Sequence, residues 1–173
     1  MACLWLVLIL SFAVALQDQI RKTSATLENI GVCYGMTGNN LPPATDVINL
    51  YKKYKIGNIR LFDPNPDALN ALKGTQIQVT LGVRNEDVPN LAASLEAANS
   101  WVTVNVQPYL HDNPILLSYI SVGNEIIPGP YSGNVLAAMK NLRTVLDQRK
   151  LAAIKGALQV KLVNSMTSKR LNR

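Results

Sequence analysis

The sequence predicts an α/β fold built on a parallel sheet, and three observations carry that expectation. Short apolar runs of strand type alternate along the chain with segments whose apolar residues recur at helical spacing. Glycine, proline and capping residues punctuate the joints between them. Repeated strand–helix–strand units imply parallel strands joined by right-handed crossovers. The third observation is length: 173 residues, or about 156 without an apolar leader, suffice for one domain with its own core. They do not suffice for a closed barrel of eight strand–helix units, which takes about 250 residues.

Ile30-Gly-Val-Cys-Tyr34 reads as a short buried strand, followed by Gly35 and the polar loop Thr37-Gly-Asn-Asn40. Pro42, Pro43 and Thr45 open a helix in which Val47, Leu50, Tyr51 and Tyr54 are expected to share one face. Asn58-Ile-Arg-Leu-Phe62 is a second strand. After it, Asn65 is a good N-cap and Pro66 stands at the first helical position of a helix ending before Gly74. Ile77 to Val83 is a third strand, and Asn85 is expected to cap a helix carrying Val88, Leu91, Leu95 and Ala98. Trp101-Val-Thr-Val-Asn-Val106 alternates with period two and locally reads as a strand, although the Ala-rich segment before it continues a helical period. Tyr119-Ile-Ser-Val122 is a strand ending at Gly123-Asn124-Glu125. A long helix with Val135, Met139, Leu142, Val145 and Leu146 follows, with Gly156 as its expected stop and Leu158 to Val163 as the last strand.

Hydrophobic residues make up 48% of the chain and charged residues 16%, which argues against disorder; the mean hydropathy of +0.10 is raised by the leader. The net charge of +6 is uneven. Residues 1–139 carry a net of −2, and residues 140–173 a net of +8. That basic segment holds no aromatic residue to stack on bases, so it is read as a solvated helix face and tail, and no nucleic-acid partner is expected. Met1 to Leu16 form an apolar run ending in Ala13-Val14-Ala15, a small-x-small cleavage pattern, and are too short to span a bilayer comfortably. Residues 1–17 are therefore expected to be a signal peptide. After its removal no membrane partner is expected. Cys33 is then the one remaining cysteine, expected as a buried, inert thiol without a disulfide.

The single histidine, His111, excludes a metal cluster built on histidines, and the chain has no Gly-rich phosphate loop and no Cys/His/Asp set for nucleophilic catalysis. Neither metal nor cofactor is expected. What remains is carboxylate chemistry at the carboxyl ends of the strands, where parallel α/β folds place their sites. Asp63 and Glu125 each follow a predicted strand and so share that end. Asp63 also suits a bracing role in the turn before Pro64, and Glu125 the placement of a negative charge near the next helix. Glu125 is the sharper candidate for catalysis, because an apolar strand end at Val-Gly-Asn gives no local need for a carboxylate.

Three blocks resemble a known family. Ile30-Gly-Val-Cys-Tyr-Gly-Met-Thr-Gly-Asn-Asn-Leu-Pro42, Asn58-Ile-Arg-Leu-Phe-Asp-Pro-Asn65 and Tyr119-Ile-Ser-Val-Gly-Asn-Glu125 are similar, in order and spacing, to the plant endo-1,3-β-glucanases of glycoside hydrolase family 17. The resemblance covers residues 30 to 165. It implies a TIM-barrel-type α/β fold, incomplete here with about five of the eight strand–helix units. It implies endo-hydrolysis of β-1,3-glucan by a retaining mechanism with two glutamates, Glu125 resembling the general acid/base. Asn124 resembles the neighbour that bonds the sugar 2-hydroxyl, and Tyr34 a cleft residue at the first strand end. It also implies a helix over Trp101 to Val106, which we adopt. The chemistry suits these residue types. A glycosidic oxygen leaves poorly unless protonated, and a second carboxylate, about 5–5.5 Å from the acid in retaining enzymes, attacks the anomeric carbon.

The sequence departs from the family pattern in several places. It contains no Ser-Glu-x-Gly-Trp-Pro block, where the family keeps its nucleophile, and Glu86, Glu96, Asp112 and Asp147 fall in helix or loop contexts that do not replace it. Phe62 stands where the family usually has tyrosine. Residues 18–29 form an extra segment of unclear role before the expected partial domain, 30–173. The end of the chain drifts from the pattern, as expected of a truncated or mispredicted gene product. An open sheet of this kind is expected to leave apolar surface uncovered and fold marginally. The expected partner is the β-1,3-glucan of the cell wall and the expected location secreted or vacuolar. A non-catalytic glucan-binding or vestigial protein, and a small secreted protein whose basic tail binds pectin, are the alternatives.

Overall fold

The structure, a computed structural model, describes residues 30–157. The predicted leader, the segment before Ile30 and the strand expected over Leu158 to Val163 lie outside the described residues. Five strands form one sheet: β1 (Gly31–Tyr34), β2 (Asn58–Leu61), β3 (Gln78–Val83), β4 (Leu116–Val122) and β5 (Lys155–Ala157). They lie in chain order and every pairing is parallel. The crossovers carry α1 (Ala44–Lys53), α2 (Pro66–Leu72), α3 (Val88–Ala93) with α4 (Leu95–Asn105), and α5 (Val135–Gln148). Right-handed crossovers that always step to the next strand in the same direction put their helices on one face of the sheet.

Period-two alternation then divides the strand residues. Ile59, Leu61, Val79, Leu81, Val83, Ile120 and Val122 share a single core with Ile48, Leu69, Leu72, Val88, Val102 and Val145 from the helices, and none exceeds 2% exposure. Each such side chain contributes about 1.5–3 kcal/mol by burial. The other face carries a row in register, Cys33–Arg60–Thr80–Tyr119–Lys155, that is more polar and more open. Gly82 lies on that face. A Cβ there would come within 2.1 Å of the Phe62 carbonyl oxygen, so only glycine lets the end of β2 approach β3 this closely.

Several local expectations are corrected. Trp101 to Asn105 are helical in α4, as adopted from the family resemblance and against the period-two pattern. The single helix expected from Asn85 through Ala98 is broken at Ser94, whose extended backbone and Oγ cap α4 by accepting from the Ala97 N–H at 3.0 Å. In α1 the inward stripe is Ala44, Val47, Ile48 and Tyr51, while Leu50 and Tyr54 point outward. The last helix stops at Gln148, well before Gly156, which belongs to β5. Its end is a left-handed Lys150 (φ 60°), with Lys150 N–H donating to Asp147 O and Leu151 N–H to Leu146 O. Lys55 ends α1 in the same way, so both stops use lysine where glycine is the usual signal. Cys33 is exposed, because alternation puts Val32 and Tyr34 on the helix side and Cys33 on the open one. Asn65 does cap α2, its Oδ1 accepting from the Ala68 N–H at 3.0 Å, with Pro66 in the first turn.

Candidate active site

Because all strands are parallel, their carboxyl ends gather the polar residues that follow them. Tyr34 closes β1, Asp63 follows β2, Arg84 and Asn85 follow β3, and Gly123-Asn124-Glu125 follows β4. The turn after β4 is the most constrained. Gly123 (φ 80°) and Glu125 (φ 48°) both have left-handed backbones on either side of Asn124. A Cβ on Gly123 would meet Ile126 Cδ1 at 2.9 Å and Asn85 Oδ1 at 3.0 Å. Glycine is required there by both space and φ.

Asn124 is held at three points. Its backbone N–H donates to Asn85 Oδ1 at 2.7 Å, and its carbonyl oxygen accepts from Asn85 Nδ2 at 3.0 Å. Its side-chain Oδ1 accepts from Arg60 Nη2 at 3.0 Å. A guanidinium can only donate, so this contact assigns the amide: oxygen toward Arg60, and Nδ2, a donor, turned away from it. Arg60 itself lies over the Phe62 ring, 4.8 Å from its centroid, where the quadrupole of the aromatic face favours a cation. Phe62, the departure from the family tyrosine, thus gives Arg60 an apolar face. Arg60 Nε is buried with no hydrogen-bond partner among the described residues. Glu125 is exposed next to this anchor.

The turn after β2 is looser. Asp63 reaches Arg84 at 3.6 Å, with both side chains about half exposed, which is the geometry of a weak surface ion pair. Asp63 therefore braces the turn through Arg84, while the cap of α2 is Asn65. Tyr34 is buried on the helix side of β1, its ring edge-on to Tyr51 with centroids 6.2 Å apart, and burial raises both phenol pKa values above the ordinary tyrosine range. Tyr34 shares the carboxyl end with Asn124 and Glu125, but β2 and β3 lie between them.

Sequence reasoning missed Arg60 and misassigned Asn85. Arg60 had a signal, being a charge in the middle of the apolar strand Asn58 to Phe62. Asn85 had none beyond its place after β3: its side chain makes no cap hydrogen bond and reaches across to β4 instead. Among the described residues no three His, Cys, Asp or Glu side chains group to hold a metal ion, and no helix is long and apolar enough to cross a membrane.

A sheet of consecutive parallel strands, with helices on one face and its polar residues collected at the carboxyl ends, is the architecture of the (β/α)-barrel class, here an incomplete one. The comparisons with known proteins narrow that class. The profile of Glycosyl hydrolases family 17 matches residues 30–170, and the chain belongs to that family. It is 45% identical over 131 residues to a glucan endo-1,3-β-glucosidase of Brassica campestris, covering 75% of this chain and 37% of the relative. It is 53% identical over 104 residues to a basic vacuolar isoform of glucan endo-1,3-β-glucosidase from Nicotiana plumbaginifolia, covering 60% of this chain and 28% of the relative. Among solved structures it superposes on a plant β-glucan endohydrolase with a TM-score of 0.71 and 44% identity, covering 76% of this chain and 42% of that one. A β-1,3-glucanase and allergen of Cryptomeria japonica pollen gives a TM-score of 0.70 and 41% identity, covering 75% of this chain and 41% of that one. The chain thus spans about a third of the curated relatives, on the order of 28–37% of their length.

Proposed function

We propose that residues 30–157 carry the acid/base side of a retaining endo-1,3-β-glucanase site. Glu125 protonates the glycosidic oxygen as it leaves, then takes a proton from the water that releases the sugar from its covalent intermediate. Asn124 donates from Nδ2 to the 2-hydroxyl of the sugar being cleaved, whereas Tyr34, expected in the cleft wall, is buried on the helix side of β1 at that end of the sheet. The observation that carries this reading is the three-point anchoring of Asn124, which turns Nδ2 outward beside an exposed Glu125. The printed names of the relatives, glucan endo-1,3-β-glucosidases, support β-1,3-glucan as the substrate. A chain of this kind acts outside the cytosol, in the cell wall or the vacuole, after losing residues 1–17 as a leader. Residues 18–29 then precede the partial barrel domain. The vacuolar Nicotiana relative supports that location.

The test joins residues 30–157 to the carboxy-terminal part of the Brassica relative and measures release of reducing ends from laminarin. Glu125→Gln is expected to lower turnover by about 100- to 10,000-fold, the range that general acid–base catalysis supplies. Unchanged turnover in that variant contradicts the assignment.

A further inference from the structure

Asn85, the residue expected to cap the helix after β3, gives that helix its backbone carbonyl, which accepts from the Val88 N–H, and spends its carboxamide on the turn after β4. We propose that Asn85 is a positioning residue for Glu125, acting through the backbone of Asn124; this rests on the acid/base reading of Glu125 given above. The paired ladder between β3 and β4 ends at Val83 and Val122. Beyond that point the Asn85 side chain supplies a further rung, donating to the Asn124 carbonyl at 3.0 Å and accepting from the Asn124 N–H at 2.7 Å. The Asn124 carbonyl belongs to the peptide that joins it to Glu125, and a peptide is planar. Fixing that oxygen fixes the plane entering Glu125, and with φ at 48° it fixes the direction in which the Glu125 side chain departs. Left-handed backbone at a non-glycine residue is held by its surroundings, and Asn85 fixes the residue that leads into it. The bare Cα of Gly123 makes room for the contact, since a Cβ there would lie 3.0 Å from Asn85 Oδ1. A carboxamide alone offers both halves of this pairing: aspartate keeps the acceptor and loses the donor, and alanine loses both.

The experiment uses the uniformly 15N-labelled 173-residue chain. It reads hydrogen exchange at the Asn124 amide, and the intraresidue amide–Hα cross-peak of Glu125, which is strong only when φ is positive. Asn85→Ala is expected to lower protection at Asn124 by about tenfold and to weaken the Glu125 cross-peak, with β1 and β2 protected as before. Asn85→Asp is expected to keep protection at Asn124, because the acceptor remains, while the Glu125 cross-peak weakens. Retention of both signals in Asn85→Ala overturns the proposal. So does uniform loss of protection across β1 to β4 in both variants, which marks a residue needed for the sheet rather than for this turn. A titration of the unsubstituted chain with a β-1,3-linked glucose hexamer separates this from the site reading. No shift at the Asn124 side-chain amide counts against the glucan site and leaves the Asn85 result standing.

Discussion

The turn after β2 and the turn after β4 each carry a carboxylate at the same end of the same sheet, and their surroundings treat the two differently. Asp63 meets Arg84 at 3.6 Å in a half-exposed pair that solvent screens. Glu125 sits in a left-handed turn whose preceding residue is fixed by three hydrogen bonds from two other strand ends. The first arrangement is what a turn needs for its own sake. The second costs backbone strain and offsets it with long-range contacts, which is the pattern of a site whose geometry is held for chemistry.

Substitutions in the two turns and in the strands beneath them should differ in cost accordingly. The largest effect is expected from Gly82→Ala, which pushes a methyl into the Phe62 carbonyl oxygen and drives the end of β2 from β3. A loss of about 3 kcal/mol or more is expected, read as collapse of the cooperative thermal transition followed by circular dichroism. Gly123→Ala strains the turn after β4 alone, through φ and through contact with Ile126 and Asn85. It should cost about 1–3 kcal/mol in urea unfolding and leave the β1–β2 amides protected. Arg60→Met removes the donor to Asn124 Oδ1, and a loss of about 1–2 kcal/mol is expected, with the Asn124 side-chain amide resonances narrowing as the group begins to rotate. Asp63→Asn should change stability by no more than about 1 kcal/mol, a difference that disappears as salt is added.

The smallest signal is expected at β1. Burial raises the phenol pKa of Tyr34, Tyr51 and Tyr109 in the folded chain, so the unfolded chain releases their protons first as pH rises. Stability is fully present below pH 10.0, the ordinary tyrosine value, and falls as the pH rises through the folded values. Tyr34→Phe should flatten that decline, measured as urea midpoints at increasing alkaline pH.

The strands and their parallel order are legible because period-two and apolar runs report directly which residues face a core, and the cap at Asn65 followed by Pro66 is a local signal. Helix ends are less so: Lys55 and Lys150 adopt the left-handed conformation without glycine, and Ser94 breaks a pattern that stays apolar at helical spacing across the break. Cys33 is misread because a short apolar strand does not reveal that one of its faces is open. In the proposed site, Asn124 and Glu125 are candidates by their place at a strand end and by the family resemblance. The partners that orient them cannot, since Arg60 and Asn85 are respectively 64 and 39 residues away in sequence and meet Asn124 only once β2, β3 and β4 are side by side.

The most direct test of the central claim, that the clamped turn after β4 presents a general acid, is the dependence of cleavage on the leaving group. Residues 30–157 joined to the carboxy-terminal part of the Brassica relative, with and without Glu125→Gln, are assayed on laminarin and on a dinitrophenyl β-1,3-glucoside whose leaving group needs no proton. A loss of about 100-fold or more is expected on laminarin, with formation of the glycosyl intermediate from the dinitrophenyl substrate nearly unchanged, seen as a burst of dinitrophenolate. Equal losses on both substrates would contradict it.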